Sequence, residues 1–442
     1  GPALTMKVPQ AIVVLAVAIA LGAFWPWFAG RNARADSAPP APLQTDYLQR
    51  NALIAFYEAR TRRDSSDQIT RRVLGGEYLQ RFRETGDLND VTRALAVASD
   101  SLRLQPQGNV QALGVIASSD IALHRFAAAL DAQESAVEAE PFDDNSRAQV
   151  ASILMEIGRY ERAGHILARP QQTDPNPTWM SIRARYDEVV GDLAGARVQM
   201  AQAAAIVDRI IVIPAYTRSW YHAREGQLAF EAGDTASAVA QFDEALRIFP
   251  DNAMAMLFEA KLYRAHRDWP RALASATRSA ELYPLPQTLG YEADAQRALG
   301  DSAGARRTDA LIRAEQHLFN AQGVNDRLLA MYYAEHREDL GDALAAARSD
   351  QAKRGDEIYA DDTMAWVLAA LGRWKAARTY ATRATRYDTA DPELQYHAAV
   401  IAWHTGHAAE TRRRLHAALA SDPQFHPFYA DNARRILAAI GS

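Results

Sequence analysis

The stretch Ser219–Asn252, SWYHAREGQLAFEAGDTASAVAQFDEALRIFPDN, decides how this chain is read. Its apolar residues recur at helical spacing in two blocks, Trp220–Ala232 and Thr235–Phe249, joined by a single Gly-Asp. Pro250 has no backbone N–H and stops the second block. Gly226 and Ala229 share one face of the first helix. Ala238, Phe242 and Ala245, at i, i+4 and i+7, share one face of the second. Small residues facing an aromatic are what two closely packed antiparallel helices require. Such a hairpin cannot bury its remaining apolar faces alone, so it needs neighbours of the same kind.

The pattern recurs on both sides. Turns fall at Gly86-Asp87, His124-Arg125-Phe126, Gly158-Arg159-Tyr160 and Gly191-Asp192-Leu193. Beyond the opening stretch they fall at Arg267-Asp268-Trp269, Gly300-Asp301, Glu338-Asp339-Leu340-Gly341, Gly372-Arg373-Trp374 and Gly406-His407. Pro106, Pro141, Pro284 and Pro423 act as stops, and Phe126 is expected to pack between its two helices.

A helix–turn–helix unit repeating every ~34 residues resembles the tetratricopeptide repeat (TPR). The resemblance covers nearly everything after Leu43, best in the units beginning at Asp144, Ser219 and Asp391, least in those beginning at Arg72 and Gln322. It implies an all-α fold, a TPR α-solenoid coiling as a right-handed superhelix of about ten repeats. The expected organisation is a capping helix over 46–71, a first half of the array over 72–218, a second half over 219–424 and a C-terminal capping helix over 425–442. Ile206–Arg218, IVDRIIVIPAYTR, departs from the pattern. It reads as an extended second helix with an irregular link at Pro214, with a short strand as the alternative.

Gly1–Thr5 precede the first methionine, Met6, and read as a scar of tag removal. Behind Lys7, residues 11–28 (AIVVLAVAIALGAFWPWF) carry no charge, and Ala33-Arg34-Ala35 has the small-x-small pattern of a signal-peptidase site. Residues 6–35 therefore predict export, as a cleaved leader or as a single membrane anchor with Trp25 and Trp27 at the interface. Residues 36–45, with SAPPAP, read as an extended linker. The expected location is periplasmic and inner-membrane anchored, or secreted if the leader is removed.

Lys plus Arg number 49 against 54 Asp plus Glu, a formal net charge of −5, which argues against nucleic acid as a partner. The absence of cysteine removes disulfides, thiolate metal sites and cysteine nucleophiles. No phosphate loop, nucleophile elbow or EF-hand loop occurs. The best metal candidate is His397, His404, His407 and His416, but seven residues of helix separate the first two by about 10 Å, too far for one ion. Asp143-Asp144 and Asp361-Asp362 fit helix caps better than acid–base pairs. The chain is thus read as a non-enzyme with no cofactor and no metal.

In TPR proteins the first helices of successive hairpins line a concave groove for peptides. By that resemblance the groove residues here are Trp220, Gln227, Phe230, Glu231, Lys261, Arg264, Asp294, Arg297, Tyr332, Glu335, His336, Tyr359, Asp362, Trp366, Tyr396, Trp403 and His404. The aromatic ones could equally fill core between hairpins. The leading expectation is a cell-envelope scaffold for a protein or peptide partner. The alternatives are a periplasmic factor in exopolysaccharide assembly or secretion, with a glycan on the aromatics, and a self-associating structural protein forming oligomers or filaments.

Overall fold

A computed structural model of the chain describes residues 46–169, 171–172, 175–321 and 327–441. The expected leader or anchor and its linker lie outside them. Among the described residues no helix is long and apolar enough to cross a membrane.

The described residues form twenty-two helices and no strand. Helix α1 (Asp46–Arg63) leads into five hairpins: α2 (Gln68–Thr85) with α3 (Leu88–Leu104), α4 (Val110–Ala122) with α5 (Phe126–Ala139), α6 (Asp144–Glu156) with α7 (Tyr160–Leu167), α8 (Pro177–Val189) with α9 (Leu193–Val207), and α10 (Ala215–Glu231) with α11 (Thr235–Ile248). Hairpins 6 to 10 pair α12 (Ala253–Ala265) with α13 (Trp269–Leu282), α14 (Pro286–Ala298) with α15 (Ser302–Ala321), α16 (Arg327–His336) with α17 (Leu340–Arg354), α18 (Ile358–Ala370) with α19 (Trp374–Ala384), and α20 (Pro392–His404) with α21 (Ala408–Ser421). Helix α22 (Tyr429–Gly441) closes the array.

The opening stretch packs as its residues demand. Phe242 is fully buried, and a Cβ on Gly226 would sit 2.5 Å from the nearest atom of the Phe242 ring, so only glycine lets the helices approach this closely. Phe126 is buried, with His124 stacked on its ring (5.6 Å) and the Arg354 guanidinium 4.5 Å over it. The departure at Ile206–Arg218 contains the expected irregular link, over 208–214, but the second helix does not extend into it. Helix α9 ends at Val207, and Pro214 stands at the N-cap of α10, which begins at Ala215 rather than Trp220. Proline's fixed φ suits a helix start, so here it opens a helix instead of breaking one.

Two layers follow from composition. First helices are buried more deeply than their partners, most clearly in hairpin 6: eleven of thirteen residues in α12, against three of fourteen in its partner α13. First helices therefore line the inside of the coil, and second helices form an outer layer that buries only a stripe of small residues, such as Ala272 and Ala276.

Each hairpin has a turn edge, where its own two helices join, and a junction edge, where the chain passes to the next hairpin. The coil is tight enough for the turn edge of one hairpin to rest on the junction five to six hairpins later. Gly86 lies against Tyr283, Gly158 against Asp356, Gly191 against Asp388 and Gly233 against Ser421. Arg267 reaches the Pro427 carbonyl (Nε, 3.2 Å). Tyr160 packs into the same seam, its hydroxyl donating to Glu357 (3.2 Å) and accepting from the Ile358 N–H (3.2 Å).

This seam predicts a difference between two glycines of like conformation. Gly158 (φ 71°) and Gly372 (φ 73°) both hold left-handed backbone. A Cβ on Gly158 would collide with the next turn, 2.6 Å from the Glu357 nitrogen, whereas one on Gly372 meets nothing within 4 Å. Gly372→Ala should cost about 1–2 kcal/mol from backbone strain alone. Gly158→Ala should cost about 3 kcal/mol or more, because overpacking adds to strain. Equal shifts in the chemical denaturation midpoint would mean that the turns do not press on one another.

Candidate functional site

The inner face carries charge where an apolar core would be simplest. Arg264 on α12 is buried, 3% exposed; it donates to Asp294 (Nε to Oδ2, 2.8 Å) and pairs with Glu335. His336 presents Nε2 to Asp294 (2.9 Å) and Nδ1 to the Tyr332 carbonyl (2.9 Å). Burial opposes its charge, but the bond to Asp294 outweighs that and raises its pKa. His426, in the link before α22, turns Nδ1 toward the N–H groups of Phe428 and Tyr429 (3.3 Å each). Its Nε2 lies between the Arg264 guanidinium (2.9 Å) and the Glu335 carboxylate (3.0 Å). Burial, with Arg264 alongside, lowers the His426 pKa and keeps it neutral.

Further along the interior, Lys261 on α12 meets Glu393 on α20 at 2.8 Å. Burial resists both charges, yet Lys261 holds the Glu393 carboxyl down at about 2. Arg185 and Arg224 share Glu188 (2.7 and 2.8 Å), and the Arg185 guanidinium lies 5.2 Å over Tyr359. Arg354 on α17 ties Asp350 (2.9 Å) to Glu156 of the preceding superhelical turn. Glu231, which accepts from Gln227 (2.8 Å), is pushed up to about 8 by burial and by the nearby carboxylates of Glu188 and Asp391.

The expected groove residues thus fall into three groups. Trp220, Phe230, Arg264, Asp294, Tyr332, Asp362 and Tyr396 are buried. Gln227, Glu231, Lys261, Glu335, His336, Tyr359 and Trp366 are partly buried and engaged with the opposite wall or with one another. Arg297, Trp403 and His404 are exposed, Arg297 being held by Asp309 (2.6 Å). The structure brings the first two groups together across a narrow interior bridged by ion pairs, in which Lys261 and Glu335 stay partly exposed, rather than along a wide trough. The physical reason is the coil: helices α12, α16 and α20 come close enough for their side chains to pair across it. Arg185, Glu188, Arg224, Glu393 and His426 complete this network and were missed in the sequence. The available signal was charge on otherwise apolar first helices, such as Arg185 and Glu188 at i, i+3.

The candidate histidines of hairpin 10 diverge. His397 bonds Asp362 (3.0 Å) and stacks on Trp366 (4.1 Å). His404 stacks on Trp374 (3.7 Å), His407 faces the Thr405 hydroxyl (3.1 Å) and His416 is exposed. Among the described residues no group of three or more His, Asp or Glu could hold a metal ion.

What remains accessible lies on the edges. Trp403 is 41% exposed at the end of α20, beside His404, whose ring is nearly parallel (9°) to Trp374 of hairpin 9. These three rings form an outward aromatic platform on the turn edge.

Ten hairpins with their first helices inside and small residues between layers define the fold as a TPR α-solenoid. No protein-family model matches the chain, and no curated protein matches it. Among solved structures it is similar to yeast Tom70 (12% identity, 89% of this chain and 92% of that one, TM-score 0.35). It is also similar to a tetratricopeptide repeat protein of Parabacteroides merdae (13%, 57% and 94%, 0.43) and to the Cut9-Hcn1 hetero-tetramer of the APC/C (12%, 88% and 93%, 0.32). Likeness at this level concerns helical architecture alone.

Two outcomes follow for the interior. Arg264→Met takes the buried guanidinium from Glu335 and leaves Asp294 to Arg297 (3.2 Å) and His336 (2.9 Å), and should lower stability by about 3–5 kcal/mol in chemical denaturation. A loss under about 1 kcal/mol would mean water already screens the cluster. Glu231 has a folded pKa raised above its unfolded value, so between about pH 4.5 and 8 the folded state holds more protons and stability falls as pH rises. Glu231→Gln should flatten that decline and raise the melting temperature at pH 8.5 relative to pH 5. An unchanged pH profile would show that the carboxyl ionises freely.

Proposed function

We propose that the protein is a non-catalytic TPR scaffold of the bacterial cell envelope, binding a protein or peptide partner. The observation that carries this reading is the exposed pair Trp403 and His404, members of the expected binding set that face solvent, with the partly buried Trp374 stacked against His404. Because the concave side is filled by its own ion pairs, the partner contact moves to the turn edge. Large flat side chains that hold few rotamers are favoured anchors at interfaces. The interior histidines and carboxylates serve one another as structural pairs, which supports a role by shape and surface. The envelope setting rests on the uncharged run at residues 11–28.

A second reading draws on the same platform. The exposed Trp403 ring, tilted beside His404, can take the flat face of a sugar, as an exopolysaccharide assembly or secretion factor would require. Tryptophan fluorescence titrated with glycans separates the two, a saturable change lost in Trp403→Ala favouring the sugar.

For the protein reading, a photo-crosslinker at position 403 should capture a discrete partner from envelope extract. The same probe at Val198, exposed on the outer layer, should not. With the probe in place, His404→Ala beside it should weaken capture about tenfold or more. Identical capture at both positions would defeat the proposal.

A further inference from the structure

We propose that the partner on the turn edge is a second copy of this chain, docked head to tail by its own junction edge. The inference rests on the scaffold reading and names its partner. Within one molecule, turn edges already receive junction edges: Gly86 meets Tyr283, Gly158 meets Asp356, Gly191 meets Asp388 and Gly233 meets Ser421. The seam closes with Tyr283 donating to the Phe82 carbonyl (3.1 Å), Thr389 to the Glu188 carbonyl (3.1 Å) and Arg354 pairing with Glu156. A turn edge of this chain is therefore a surface built to fit a junction edge of this chain.

Hairpins 7 to 10 carry the same edge with no later hairpin to cover it. A Cβ on Gly300, Gly372 or Gly406 would meet nothing within 4 Å, although each holds the same left-handed φ as the covered glycines. The mirror situation holds at the other end. Junctions among hairpins 1 to 5 have no earlier hairpin beneath them, and there Leu104, Phe142 (74% exposed), Ile211 (68%) and Val212 stand out to solvent. With Leu299 and Trp403 on the turn edge, six of the eleven exposed large apolar side chains among the described residues lie on these two edges. An unrelated partner would account for one edge; a second copy accounts for both, by continuing an interface the chain already makes with itself. Since the two surfaces differ, the contact is heterologous and repeats into a ring or a filament.

Sedimentation velocity of the full chain in mild detergent should show mass rising above the monomer with concentration. Trp403→Asp spoils one edge and Phe142→Asp/Ile211→Asp the other, at exposed sites where circular dichroism should stay unchanged. Each variant alone should associate about tenfold or more weakly. Their equimolar mixture should recover dimers but nothing longer, because each contributes one intact edge. A wild-type chain that stays monomeric, or variants that do not complement, overturns the proposal. If the crosslinker at position 403 then captures a different protein, the scaffold reading survives alone; if it captures nothing, both fall.

Discussion

The close approach of one superhelical turn to the next, seen where the backbone of Gly158 lies against Asp356, is the constraint on which the rest of the molecule depends. A TPR array with a wide coil would leave its inner face to solvent. Here the second helices bury stripes of alanine, such as Ala377 and Ala381 in α19, so neighbouring hairpins nest closely. Deeper burial of the first helices than of their partners follows, and with it the enclosure of charges they carry inward.

Enclosing charge is costly unless partners are present, since each ion loses its water. Lys261–Glu393 and Arg354–Glu156 meet that demand by joining helices more than 130 residues apart in sequence. Apolar packing between turns is non-directional and would tolerate a slip of one hairpin against another. An ion pair is not so tolerant, because a slip leaves two unpaired charges in a dry place. The pairs thus act as register marks for the coil, whatever their net effect on stability. Glu231 shows the limit of this arrangement: with Glu188 already committed to Arg185 and Arg224, its carboxyl holds a proton up to about pH 8.

The hairpins were legible because their signals are local. A Gly-Asp turn, a proline stop and a small residue opposite Phe242 all lie within one unit of chain. The inside-out order of the helices was legible too, since α12 is apolar around its circumference and α13 only along a stripe. The closure of the groove was not, because it depends on small rotations between hairpins summed over five or six of them. No spacing in the sequence announces that Arg264 will meet His426, 162 residues away, or that Tyr160 will bond Glu357. Pro214 misled for a related reason: its fixed φ is compatible with ending one helix or opening the next, and only the packing of Ala215 and Tyr216 against their neighbours decides.

Tight coiling also dictates where a finite array stays open. Helices α1 and α22 cover the flat ends of the stack, where an apolar hairpin face would otherwise meet water. They do not cover its edges. Any array that rests its turn edges on junctions five or six hairpins away must leave the last few turn edges and the first few junctions unmatched, however well its ends are capped. The exposed Trp403 and Phe142 are therefore consequences of the same geometry that buries Arg264. The surface available for recognition is determined by how many hairpins the chain contains relative to one turn of its coil.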